Sequence, residues 1–279
     1  MDIIQDKQSS YKELWSFTIL LILATYLVMA VSPWIEPDMS KKAANDWYRS
    51  RAYSIVTIPF FSALICVAFF QGKAGVLRLY TRLVDWKIGL KWWLIALFIP
   101  VGIHSATAVI IHLFFDANVW HESFLTTVGI YIVALSWLFP LFVFEELAWR
   151  GYLQPSLQAR YTPFKSSLIV SLVWLLWHLP IWYGLILGLT GTPALALAFA
   201  LAGILVLIGM SLIMTFLLNN VRASILIAMA FHGSNNAMIR AVGDEAGSYF
   251  IITNTLYCLV AAFIVLKCKD TFFNKPAID

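Results

Sequence analysis

Charge is what this chain has least of: Asp, Glu, Lys and Arg make up 12% of it, against the roughly 25% usual in soluble domains. That deficit excludes an ordinary water-soluble enzyme. The net charge of +4 is small and scattered, so no nucleic-acid partner is expected. Cysteine is scarce as well. Cys66 and Cys258 lie inside apolar runs and Cys268 just past the last one, which excludes a disulfide framework or a paired-cysteine zinc pattern and leaves packing roles. Repeats, linkers and low-complexity tracts are missing, so residues 1–279 read most simply as a single transmembrane domain. The first apolar run, near 15–34, is longer than the roughly 7–15 residues of a signal-peptide core, and no small-residue cleavage site follows it. It is expected to stay as an anchor.

What the chain has instead is apolar length. Hydrophobic residues make up 61% of it and gather into runs near 15–34, 52–71, 92–115, 126–153, 165–188, 193–218, 222–240 and 248–266. Runs of about 18 or more apolar residues predict membrane-spanning helices. The expected fold is therefore all-α and polytopic, about eight transmembrane helices with the lipid bilayer as solvent. With eight spans, one side collects 14 Lys and Arg and the other 5, and the positive-inside rule predicts both termini in the cytoplasm. Residues 76–87 place apolar side chains at helical spacing with basic residues between them, which predicts an interfacial amphipathic helix. Asp116, His121 and Glu122 read as a solvated external loop.

Within this background the segment Leu141-Phe-Val-Phe-Glu145-Glu146-Leu-Ala-Trp-Arg150 is anomalous. A lone charge inside a span costs roughly 2.5 to 3.5 kcal/mol on insertion scales, so such residues are functional candidates. On a helix Glu146 and Arg150, four apart, share a face and pair. Glu145 points about 100° away and has no local partner, which leaves it free to exchange protons. Pro140 and Pro180 each remove a backbone donor and predict bends beside the polar positions.

Two further polar sites lie in the apolar runs, His178 and the pair His232 and Asn236, which share a helix face. At 1.5 Å per residue, Glu145 lies roughly 14 Å from its helix end near Gln154, His178 roughly 20 Å from Lys165 and His232 roughly 15 Å from Arg222. All three ends are cytoplasmic by the charge count, so the three sites fall at similar depth and are expected to meet. His104 and His112, with no polar neighbours in sequence, are expected to serve packing alone.

These residues carry a resemblance. Glu145-Glu146-Leu-Ala-Trp-Arg150, Trp174-Leu-Leu-Trp-His178 and His232-Gly-Ser-Asn-Asn236 match in order and spacing the Glu-Glu-x-x-x-Arg, Phe-x-x-x-His and His-x-x-x-Asn motifs of the CAAX-prenyl-protease and bacteriocin-processing family of intramembrane proteases (CPBP, also called Abi). The similarity covers about residues 124–240, the expected catalytic core. Trp174 stands where the family has phenylalanine and keeps an aromatic ring there.

The resemblance implies an endopeptidase acting on a membrane-associated peptide or protein, at a cytosol-facing cavity within a membrane, expected to be the bacterial inner membrane because the chain is compact and its loops short. Its chemistry needs an activated water and donors for the oxyanion. Glu145 is assigned as base, His178 as its partner in holding water, and His232 with Asn236 as oxyanion donors, with Glu146, Arg150 and Trp174 in support. The alternative is a zinc held by Glu145, His178 and His232. A glutamate-activated water is favoured, because the helical two-histidine zinc signature is missing and Arg150 leaves Glu146 a poor substitute base. A catalytically silent scaffold or immunity protein, or a proton-coupled transporter, are the readings from other classes.

Overall fold

The computed structural model describes residues 10–30, 40–116, 119–120, 123–242 and 247–274. They form helices almost throughout: α1 Tyr11–Ala30, α2 Lys41–Val56, α3 Ile58–Val84, α4 Leu90–Phe115, α5 Phe124–Leu141, the short α6 Val143–Glu146, a π-helical segment Leu147–Leu153, α7 Gln154–Gln158, α8 Pro163–Thr190, α9 Pro193–Ala202, α10 Ile204–Asn220, α11 Ile225–Ala241, α12 Gly247–Lys267 and α13 Lys269–Phe273. No strand occurs among the described residues. The chain is thus an all-α, polytopic membrane protein.

Seven helical stretches among these residues are long and apolar enough to cross a membrane. The eighth expected span corresponds to α11, which has 17 residues. Its composition follows from its position. Thirteen of those residues are buried, between α5, α4 and α10 and against the π-helical segment. A helix wrapped by protein need not be apolar on every face, and α11 carries the most polar sequence of the inner helices. The outward sides of the other helices do the opposite, exposing Leu23, Phe69, Phe98, Trp137 and Phe263, where lipid rather than water meets them.

Local signals set the helix limits. Thr162 caps α8 by accepting from the Lys165 amide, Pro163 takes the first turn, and Gly191 ends the helix at φ 64°, a left-handed conformation suited to glycine. Helix α8 runs on across Pro180, which it carries in its interior. Pro140 behaves as expected: α5 ends at Leu141, and Phe142 separates it from α6. Residues 76–84 do form a helical limb, but it belongs to α3, set off by a kink at Gly72 with φ 66° and ψ −161°. From that limb Arg82 donates to the carbonyl of Gly151 at 3.1 Å, so it braces the π-helical segment. Helix α2, which lies mostly between the first two expected spans and takes the first residues of the second, was not foreseen. Asp116 is exposed at the end of α4, while His121 and Glu122 lie outside the described residues.

Hydroxyl groups join the inner helices. Ser167 on α8 bonds Thr215 on α10 at 2.7 Å, and Ser234 on α11 donates to the Leu97 carbonyl on α4 at 2.6 Å. Such interhelical bonds are worth about 0.6 to 2 kcal/mol each in a membrane. Helices α10 and α12 approach closely at Gly209, where an added Cβ would lie 2.9 Å from the Tyr257 backbone.

Candidate active site

The two adjacent glutamates have different surroundings. Glu146, fully buried, pairs with Arg150 at 3.3 Å and also accepts from His232 Nδ1 at 2.7 Å. The arginine is held from two more sides: Nη2 donates to Ser211 Oγ at 3.2 Å, and the guanidinium lies 4.4 Å from the centre of the Trp174 ring. The pairing predicted for an ordinary helix survives in the π-helical segment, whose bonding shows in the Gln154 amide reaching back five residues to the Trp149 carbonyl. Short π-helical stretches are rare and frequent at functional sites. His232 is further fixed by Phe142, stacked on it at 3.8 Å between ring centres. The break after Pro140 brings that ring into place.

Glu145 receives no cation. Its Oε2 accepts a hydrogen bond from the indole Nε1 of Trp174 at 3.2 Å, and the indole of Trp149 approaches without reaching bonding geometry. A buried carboxylate with so little support keeps capacity to bind and move a proton. Trp174 joins the site together. Its ring contacts those of His232 at 5.3 Å and His178 at 5.8 Å, while its edge holds Glu145 and its face holds Arg150. The sequence pattern foresaw an aromatic ring at 174; the donated hydrogen bond was not foreseen, although the indole N–H that phenylalanine lacks was its available signal.

His178 is half-buried and stacked on Trp182 at 4.3 Å. Its Nδ1 lies 3.2 Å from the Trp174 carbonyl. A carbonyl only accepts, so Nδ1 carries the proton and Nε2 presents a lone pair. The half-buried Asn236 accepts from the amide of Asn235 at 2.7 Å. Glu145, Arg150, His178 and His232 thus gather around Trp174, with Glu146 bonded to Arg150 and His232, and Asn236 lies one turn beyond His232 on α11.

The arrangement of donors departs from a zinc site. Glu146, not Glu145, meets His232, and no group of three or more His, Cys, Asp or Glu side chains among the described residues stands close enough together to hold one ion. The set Glu145, His178 and His232 does not fit as placed.

A second polar cluster surrounds His104, which is fully buried, bonded through Nδ1 to Tyr249 and through Nε2 to Asn235 at 3.0 Å. The expectation that His104 only packs missed these partners, which lie more than a hundred residues away in sequence. Asn235 was legible only as the neighbour of Asn236. His112 is exposed.

Residues 126–238 match the family described as type II CAAX prenyl endopeptidase Rce1-like, and the resemblance to the CPBP proteases is borne out over that stretch. Among curated proteins, CAAX prenyl protease 2 of Methanococcus maripaludis is 34% identical over 148 residues, which cover 47% of this chain and 48% of that protein. The chain thus spans about half the length of the curated relative it matches, and the matched family stretch contains all three motifs.

Proposed function

We propose that this protein is an intramembrane endopeptidase that hydrolyses a peptide bond of a membrane-associated peptide or protein near the cytosolic face. The observation that carries the reading is the unequal pair: Glu146 is neutralised by Arg150 and bonded to His232, whereas Glu145 has a single indole donor. One carboxylate organises the site and the other retains basicity.

Water lies between two acceptors, Glu145 and the Nε2 lone pair of His178. Glu145 takes its proton as the oxygen attacks the carbonyl carbon, forming a C–O bond and a tetrahedral oxyanion. His232, held through Nδ1 by Glu146, and the Asn236 amide donate to that oxyanion. The C–N bond then breaks, and the proton held by Glu145 passes to the leaving amine. No metal is needed in this scheme. We take both termini to be cytoplasmic and the membrane to be a bacterial inner membrane, from the 14 to 5 split of basic residues and the short loops. Engineered cysteines near Arg78 and Arg160 are expected to label from the cytoplasm and those near Asp116 from outside; reversed labelling overturns this orientation.

The substrate test uses peptides with a prenylated cysteine four residues from the C-terminus, the form such motifs take, beside unlipidated twins, because the curated relative is called a CAAX prenyl protease. Membrane-peptide profiles of cells holding wild type or Glu145→Gln extend the search to native proteins. Cleavage by wild type that is lost in Glu145→Gln supports the reading; identical profiles, with no peptide cleaved, overturn it in favour of a scaffold or transporter. Stripping purified protein with a strong chelator and measuring zinc by elemental analysis tests the metal. Full activity far below one zinc per chain is expected, and activity that falls and returns with zinc refutes the metal-free scheme.

A further inference from the structure

Asn236 can serve an oxyanion only if its amide nitrogen, not its carbonyl oxygen, faces the reacting centre. Nothing in the side chain itself selects that orientation, since the two ends have nearly the same shape. The buried cluster behind it does select. Asn235 Oδ1 is a pure acceptor and receives the Tyr257 hydroxyl at 2.6 Å together with His104 Nε2 at 3.0 Å. With its proton on Nε2, His104 offers Nδ1 as the acceptor of the Tyr249 hydroxyl. Two donors on its oxygen hold Asn235 in one orientation, so its Nδ2 points toward Asn236 and donates to Oδ1 at 2.7 Å. The Asn236 oxygen is thereby engaged from behind, and its Nδ2 is the end left to present.

We infer that Asn235, His104, Tyr257 and Tyr249 are positioning residues that fix the amide orientation of Asn236 through a one-directional chain of hydrogen bonds. In the structure the links run one way, from the Tyr257 and Tyr249 hydroxyls through His104 and Asn235 to the Asn236 oxygen, and turning any one amide would oblige its neighbours to turn with it. The chain is also sheltered: His104 is 1% exposed and Tyr257 fully buried, so water does not compete for its links. It joins three helices, α4 through His104, α11 through Asn235 and α12 through Tyr249 and Tyr257. The close approach of α12 to α10 at Gly209 sets the position of Tyr257. A cluster that served only to join helices would need no particular direction. This inference rests on the proposed role of Asn236.

The test is a double-mutant cycle on the full-length protein in lipid, with the fastest-cleaved peptide of the panel above. Asn236→Ala is expected to lower kcat about 10²-fold, as for loss of an oxyanion donor. Asn235→Leu and His104→Leu are expected to lower kcat about tenfold with KM almost unchanged, since an oxyanion donor acts on the transition state and not on bound substrate. His104→Gln, whose amide can donate to Asn235 Oδ1, is expected to recover most of the loss. Combined with Asn236→Ala, neither leucine variant should lower kcat further, because the group they orient is gone. Tyr257→Phe, which removes a single link, provides the same comparison if a leucine variant folds poorly. Full multiplication of the two losses in the double variants, or a lowered Tm with wild-type kcat, overturns the inference and leaves the cluster as helix-joining. Wild-type turnover in Asn236→Ala overturns the role of Asn236 itself, a result separable from the other two.

Discussion

Two buried polar clusters lie along α11, less than one turn apart, and they are built on opposite principles. The cluster around His104 is neutral, and its main acceptor, Asn235 Oδ1, receives two donors. The cluster around Glu146 contains a carboxylate, a guanidinium and an imidazole, yet beside it Glu145 has one indole donor. In an apolar medium an unmade hydrogen bond is expensive. The proposed chemistry is placed where hydrogen-bonding capacity is left unused at that cost, while the satisfied cluster holds structure.

Replacing the under-supported carboxylate tests this contrast most severely. Glu145→Gln keeps volume but cannot take the proton, so peptide turnover should fall by about 10²-fold or more, with Tm close to wild type; unchanged turnover at equal folded protein would refute the role of Glu145. Glu146→Gln should act the other way round. It strands Arg150 in a buried place and loosens His232, so stability should fall by about 3 kcal/mol or more, read from denaturant or thermal unfolding in lipid, with activity falling alongside. A variant as stable as wild type would break the division between the two glutamates.

Trp174→Phe sharpens the comparison at smaller scale, because it restores the residue usual in the family and removes the indole N–H together with part of the buried ring. About a fivefold loss of kcat is expected, the kinetic equivalent of one hydrogen bond of about 1 kcal/mol. No loss would mean that Glu145 needs no donor. The smallest effect belongs to the neutral side of the protein. Thr253→Val breaks a bond to Thr107 of 3.1 Å and should cost about 0.6 kcal/mol of stability with unchanged kcat.

Much of this protein was legible before any coordinates, for reasons that can be named. Spans are readable because lipid demands long apolar runs with internal hydrogen bonding, and α1, α4, α8 and α12 lie where those runs predicted. The pairing of Glu146 with Arg150 was readable because it is local, four residues along one helix. Similar depth followed from helical rise and led to the expectation that Glu145, His178 and His232 would lie near one another; it did not foretell that Glu146 would be the glutamate bonded to His232.

What only the tertiary structure decided is everything that depends on which faces of different helices meet. The π-helical turn at 147–153, the continuation of α8 across Pro180 and the bond from Trp174 to Glu145 arise from packing between segments distant in sequence. The chain from Tyr249 through His104 to Asn235 spans α12, α4 and α11, and no periodicity within any one of them records it. A polar residue in a membrane helix announces that it needs a partner; the choice of partner belongs to the folded bundle, because hydrogen bonds reach only about 3 Å while the residues that make them are brought together from separate helices.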